Sequence, residues 1–209
     1  MPKNEQPVEP FGEERHLDLQ SDIHFFFDLL VTDKTVLDVG AGFGKSKARM
    51  RHQREVTTHD ISPHVRDRVD GCAPMPPDKT FDVVTAFDVI EHVEDDALFL
   101  DLLDTRARQA IFLSTPNWYI HRCQSRHHYR EYTNEEFCAL LHRQWPDADF
   151  IWGAFYKDAE GGWCEVLSEE RFLFHRGIKH LTLVSLSLSA VELIRIRAMF
   201  SERGEWAAL

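Results

Sequence analysis

The run Val36-Leu37-Asp38-Val39-Gly40-Ala41-Gly42-Phe43-Gly44 passes from apolar residues through a carboxylate into alternating glycines, as a strand does when it feeds a nucleotide-binding turn. Glycine suits such a turn because the backbone must visit positive φ and let a ligand approach where a Cβ would otherwise stand. A second carboxylate, Asp60, closes the strand-like segment Val56 to Asp60, about as far beyond the glycines as a Rossmann-type unit places its ribose-binding acid. A third, Asp70, stands with Gly71 ahead of a loop holding Pro74, Pro76 and Pro77, where it could accept a hydrogen bond from an adenine amine. The other reactive candidates are histidines. His92 follows Glu91 after an apolar run, and His127 and His128 lie in a long loop with Trp118, Tyr119, His121 and Tyr129. Histidine titrates near neutral pH and can take a proton from a hydroxyl.

Three ligand classes use a glycine turn of this kind. The dinucleotide fingerprint needs a third glycine where this chain has Lys45, so NAD and FAD are disfavoured. Gly44-Lys45-Ser46 resembles the end of a phosphate-binding P-loop, but the opening glycine of that motif falls at Val39. An acidic residue followed by Gly-x-Gly-x-Gly, the pattern that holds S-adenosylmethionine, fits Asp38, Gly40, Gly42 and Gly44 throughout. Two alternatives stay open: a P-loop-like nucleotide binder, and a noncatalytic protein that binds cofactor to support a partner.

These groups need a frame of alternating strands and helices. Leu19, Ile23, Phe26, Phe27 and Leu30 recur at helical spacing ahead of the first strand. A short basic helix over 45–54, a strand to Asp60, an abbreviated segment to Pro77 and a buried strand from Phe81 follow. Asp95 or Asp96 starts a helix that leads to the strand Ala110 to Ser114. Thr133-Asn-Glu-Glu136 is a capping box, which places a helix start near Asn134. Phe150 to Tyr156 and Arg171 to His175 read as further strands, the antiparallel pair that closes such a sheet. After Ile178 helical and strand periodicities coexist. The alternation predicts an α/β fold: a Rossmann-like, doubly wound, mostly parallel seven-stranded sheet with an antiparallel last strand and helices on both faces.

The order LDVGAGFG, HDIS, FDVVTAFDVIEHV and FLSTPN, spanning roughly Val36 to Leu141, resembles the class I S-adenosylmethionine-dependent methyltransferases, in particular a branch with a D-x-x-E-H turn after the fourth strand. The resemblance implies cofactor contacts at Asp38, Gly40, Gly42, Gly44, Asp60, Ile61, Asp70, Gly71 and Phe87, with Asp38 and Gly40 at the methionine end and Asp60 on the ribose. Residues Phe87 to His92 would floor the cleft, and His92, His127 and His128 are the catalytic candidates. Only nine residues separate Asp60 from Asp70, so the second helix must be a stub. The implied activity is methyl transfer to an oxygen or nitrogen of a small metabolite, such as a sugar or secondary-metabolite intermediate. The Asn/Asp-Pro-Pro-aromatic motif of exocyclic-amine nucleic-acid enzymes and the Pro-Cys nucleophile of cytosine C5 enzymes are absent.

Length and composition bound the rest. The 209 residues suit one α/β domain over 13–209, with 1–12 as a disordered lead or flap, 117–132 as a substrate lid and 178–209 as a C-terminal extension. A net charge of −11, from 35 acidic and 24 basic residues with no basic run, disfavours a nucleic-acid partner. No apolar stretch is long enough for a membrane span and no signal pattern opens the chain, so a cytoplasmic location is expected. Cys72, Cys123, Cys138 and Cys164 are scattered without a C-x-x-C pair and are read as free thiols. His121, Cys123, His127 and His128 lack firm ligand spacing in a chain with twelve histidines, and no metal is expected. The oligomeric state is left open.

Overall fold

The computed structural model describes residues 16–42, 44, 46–60, 78–122, 125, 128–157 and 162–201. In chain order these form α1 (His16–Leu30), β1 (Thr35–Val39), α2 (Ser46–Arg49), β2 (Glu55–His59), β3 (Phe81–Phe87), a 3-10 turn (Ile90–His92), α3 (Asp96–Arg106), β4 (Ala107–Pro116), α4 (Trp118–His121), α5 (Asn134–Gln144), β5 (Asp149–Lys157), β6 (Gly162–Leu167), α6 (Glu169–Leu173), β7 (Lys179–Ser185) and α7 (Ala190–Ser201). The strands make one seven-stranded sheet in the order β2-β1-β3-β4-β7-β5-β6. β2, β1, β3 and β4 are mutually parallel, and β7 enters antiparallel between β4 and β5, with β6 antiparallel at the edge.

Alternating side chains of the central strands feed two cores. On one face Leu37, Val84, Ile111 and Leu113 pack under α3 and α5 through Leu100, Leu103, Phe137 and Leu141. On the other Val36, Val83, Phe87 and Phe112 meet Ile23, Phe27 and Leu30 of α1 and Leu193 and Ile196 of α7. With both faces covered, every residue of β3 is buried, which explains its near-continuous apolar character. Local rules fix the helix starts. The Asp95 side chain accepts from Leu98 N, and Thr133 and Glu136 complete the capping box at α5.

Two expectations are corrected. Arg171 to His175 is not a strand: Ser168 caps α6 by accepting from Arg171 N, with Glu169 and Glu170 in the first turn, and the antiparallel edge strand is instead Gly162–Leu167. The segment after Ile178 is not peripheral, since Lys179–Ser185 is an interior strand paired on both sides and buried at every position. The expected lead over 1–12 lies outside the described residues. Cys138 and Cys164 are buried free thiols, and Cys72 and Cys123 lie outside the described residues.

At the amino ends of the strands Asp82 joins β1, β3 and β4. It accepts from Thr35 N at 2.9 Å, Thr35 Oγ1 at 2.9 Å and an Arg108 guanidinium nitrogen at 2.8 Å. These donors, working against the cost of burial, hold its carboxyl at about 2, below the ordinary 3.8. A lowered folded-state pKa gives stability that is present above the unfolded value and is lost as pH falls through the folded one. Asp82 should therefore supply about 2 kcal/mol that disappears between about pH 4 and 2. Melting temperature against pH checks this: the Asp82→Asn chain should be less stable at pH 7 and flatter across that window.

Candidate active site

β1 ends under its two neighbours, and the chain then turns through Gly40, Gly42 and Gly44 at φ 72°, 52° and 70°. Gly40 N and Ala41 N donate to His59 O at 2.8 and 3.1 Å, so the turn is pinned to the end of β2. A Cβ on Gly40 would sit 2.3 Å from Val89 Cγ2, whereas one on Gly42 would meet nothing within 4 Å among the described residues. The first glycine is thus demanded by packing, and the second faces the open space of the cleft. Asp60, directly after β2, accepts from Gly42 N at 3.0 Å through Oδ2, which couples the second carboxylate to the turn.

Asp38 is only 1 % exposed. Its Oδ1 accepts from Thr85 Oγ1 at 2.7 Å, and its Oδ2, 3.4 Å from His24 Nε2, accepts no hydrogen bond among the described residues. It therefore ties β1 to β3 just before the turn. The Phe87 ring packs edge-on against His24 and Phe112, with centroids 4.8 and 5.4 Å apart, at the carboxyl end of β3.

Beyond β3 the backbone breaks sharply. Asp88 has φ 55°, its N and Oδ1 engage Ser114 Oγ at 3.1 and 2.9 Å, and its Oδ2 contacts the buried Lys179 Nζ. Burial pulls the Lys179 ammonium down toward about 7, and the adjoining Asp88 carboxylate works against that shift. Glu91 is completely buried in the 3-10 turn. Its Oε2 accepts from Thr115 Oγ1 at 3.1 Å, while Oε1 accepts no hydrogen bond among the described residues. Burial raises its carboxyl to about 8.

Glu91 O accepts from Tyr129 N at 2.8 Å, which ties residues 128–130 to the turn, and the His128 ring lies 4.7 Å from that of His92, nearly perpendicular. His128 Nδ1 is 2.6 Å from Glu131 Oε1, so Nδ1–H donates to the carboxylate and the ring is held in that tautomer. Ligand atoms of Glu91, His92 and His128 lie within 4.8 Å of one another and could hold a cation, a set different from the His121–His128 grouping considered in the sequence.

The structure thus brings Gly40, Gly42, Gly44 and Asp60 together at one strand end and His92 and His128 together at the next. Ile61, Asp70, Gly71 and His127 lie outside the described residues. Sequence reasoning put Glu91 in the Phe87 to His92 cleft floor without giving it a role, gave none to Glu131, and missed Asp88 and Lys179 as a pair. Only Glu91 carried a signal, as a carboxylate ending an apolar run beside His92.

A family model described as a methyltransferase domain matches residues 11–151. The chain belongs to this methyltransferase-domain family. As a family member it is an S-adenosylmethionine-dependent methyltransferase, which sets aside the P-loop alternative. No curated protein matches the sequence. Among solved structures, a possible histamine N-methyltransferase from Thermotoga maritima aligns at TM-score 0.61 and 12 % identity over 81 % of this chain and 90 % of its own. The small RNA methyltransferase HEN1 aligns at 0.64 and 16 %, over 90 % of this chain and 27 % of its own. The plantazolicin methyltransferase BpumL, solved with S-adenosylhomocysteine and a substrate analogue, aligns at 0.53 and 15 %, over 81 % and 83 %. These identities establish a shared methyltransferase fold. Among the described residues no helix of the methyltransferase is long and apolar enough to cross a membrane.

The residues fit the cofactor. Gly42 opens onto space that a side chain would fill, and Asp60, with one oxygen on Gly42 N, is a carboxylate suited to a ribose diol.

Proposed function

We propose that the methyltransferase acts on an oxygen or nitrogen of a small metabolite held against Glu91, His92 and His128. The observation that carries this reading is the convergence of those three side chains at the carboxyl end of β3, next to the strand that bears the glycine turn. Ligands of open α/β sheets bind beyond such strand ends. When bound, the cofactor supplies a methyl group already activated by its sulfonium charge, so the chain's main task is to align the acceptor. Gly40, Gly42 and Gly44 form the cradle, with Asp38 and Gly40 at the methionine end, and Asp60 grips the ribose. Ile61, Asp70 and Gly71 complete the adenosine side. His128, its tautomer set by Glu131, takes the proton of a hydroxyl acceptor at Nε2, and His92 orients that acceptor. The loop over 117–132 is the lid, with Trp118 and Tyr119 as its aromatic contacts.

A second reading keeps the same three residues but has them hold a divalent cation, which would polarise an acceptor oxygen directly; their oxygen and imidazole donors favour it. The net charge of −11 supports a small acceptor over a polyanion, although HEN1, a fold neighbour, is a small RNA methyltransferase.

Transfer of labelled methyl from S-adenosylmethionine, offered a metabolite extract and a small-RNA pool in parallel, tests both readings. Label is expected in the small-molecule fraction, and label in RNA alone would sink the proposed acceptor. Activity that survives chelation assigns the proton to His128, and activity lost to chelator and restored by a divalent salt assigns the cation.

A further inference from the structure

A second cluster of ligand-type side chains sits away from the cleft. Cys138 and His142 are one turn apart on α5, and this spacing places them on the same helix face. Glu169, the first residue of α6, meets them there, and ligand atoms of the three lie within 4.8 Å of one another. Hydrogen bonds already join part of the set: His142 Nε2 is 2.8 Å from Glu169 Oε2, and Trp152 Nε1 donates to the same oxygen at 3.1 Å. Cys138 is buried, while His142 and Glu169 reach the wall of a hollow of about 510 Å³. That hollow also takes in Asp149 and Phe150, which pair through Ser185 and Val184 with Ala110 and Ile111 of β4, at the opposite end of the sheet from the glycine turn.

We propose that Cys138, His142 and Glu169 bind a Zn²⁺-type transition-metal cation, with a fourth position open to the hollow. The donor set decides the class. Sulfur, imidazole nitrogen and carboxylate oxygen together select zinc-like ions, whereas Mg²⁺ and Ca²⁺ take oxygen ligands. Tetrahedral bonds of about 2.0–2.3 Å put ligand atoms about 3.3–3.8 Å apart, so donors within 4.8 Å need close by only about 1 Å. Binding exchanges the thiol proton for the cation and releases that proton to solvent, and the imidazole proton moves from Nε2 to Nδ1. The indole N–H of Trp152 then orients the ligating carboxylate from outside. Such a cation would clamp α5 to α6 against β5, a role independent of methyl transfer.

Titrating the chelator-stripped full-length protein with Co²⁺ tests the proposal. The expected result is a stoichiometric near-ultraviolet thiolate-to-cobalt band that Zn²⁺ displaces. It should vanish in Cys138→Ser and persist in Cys164→Ser, and a cation at Glu91, His92 and His128 cannot produce it because that set has no sulfur. His142→Ala, at a partly exposed position that folding tolerates, should weaken Co²⁺ binding by about tenfold or more, and Trp152→Phe by about tenfold. S-adenosylhomocysteine affinity should not change in any of these variants. The absence of the band in folded wild-type protein, or a band undiminished in His142→Ala, would overturn the assignment.

Discussion

Asp60→Ala is expected to lower the affinity for S-adenosylhomocysteine about a hundredfold, read by isothermal titration. The carboxylate stands at the end of β2 with one oxygen on Gly42 N, so it serves the ligand and the turn together. Two hydrogen bonds from a ribose diol to a charged acceptor contribute about 1.5–3 kcal/mol each, and losing them outweighs any relaxation of the loop. Asp60→Asn keeps one acceptor oxygen and should fall between. An affinity unchanged in the alanine variant would remove Asp60 from the cofactor site.

Under the base reading, His128→Ala should cut kcat by about 10²- to 10⁴-fold while leaving S-adenosylhomocysteine binding as it was. The short contact between His128 Nδ1 and the buried Glu131 carboxylate puts the imidazole proton on Nδ1, the arrangement by which a carboxylate orients a catalytic imidazole. Glu131→Gln should therefore lower kcat by less than His128→Ala does. Added imidazole should restore part of the His128→Ala rate and none of that of Asp60→Ala. Equal losses in kcat and in cofactor affinity would mean that His128 holds the loop in place instead of moving a proton.

Features written in a few adjacent residues were readable in advance. The glycine turn, the capping box Thr133–Glu136 and the Asp95 cap each depend on spacing within one turn. Phe81–Phe87 declared itself by an unbroken apolar run, because a strand covered on both faces has no reason to alternate. The failures came where distant partners decide. Leu181, Val184, Leu188, Val191 and Ile194 fit a helix on spacing, yet Leu181 and Val184 lie in β7, while Val191 and Ile194 are exposed on α7 at 76 % and 67 %. The pair Asp88 and Lys179 spans 91 positions, and no local rule signals it. Glu91 was placed in the cleft floor beside His92, but its complete burial exists only once β3, β4 and the 128–131 stretch surround it.

The late position of β7 in the chain has a consequence for biosynthesis. β4 and β5 are translated well before the strand that joins them, so a nascent or truncated polypeptide ending before Lys179 carries two unsatisfied sheet borders and lacks the cation that meets Asp88. Such a product has the whole glycine turn yet no finished floor beneath the acceptor, and its open borders invite self-association. Completion of the sheet beside Asp88 is thereby tied to emergence of the chain through Ser185.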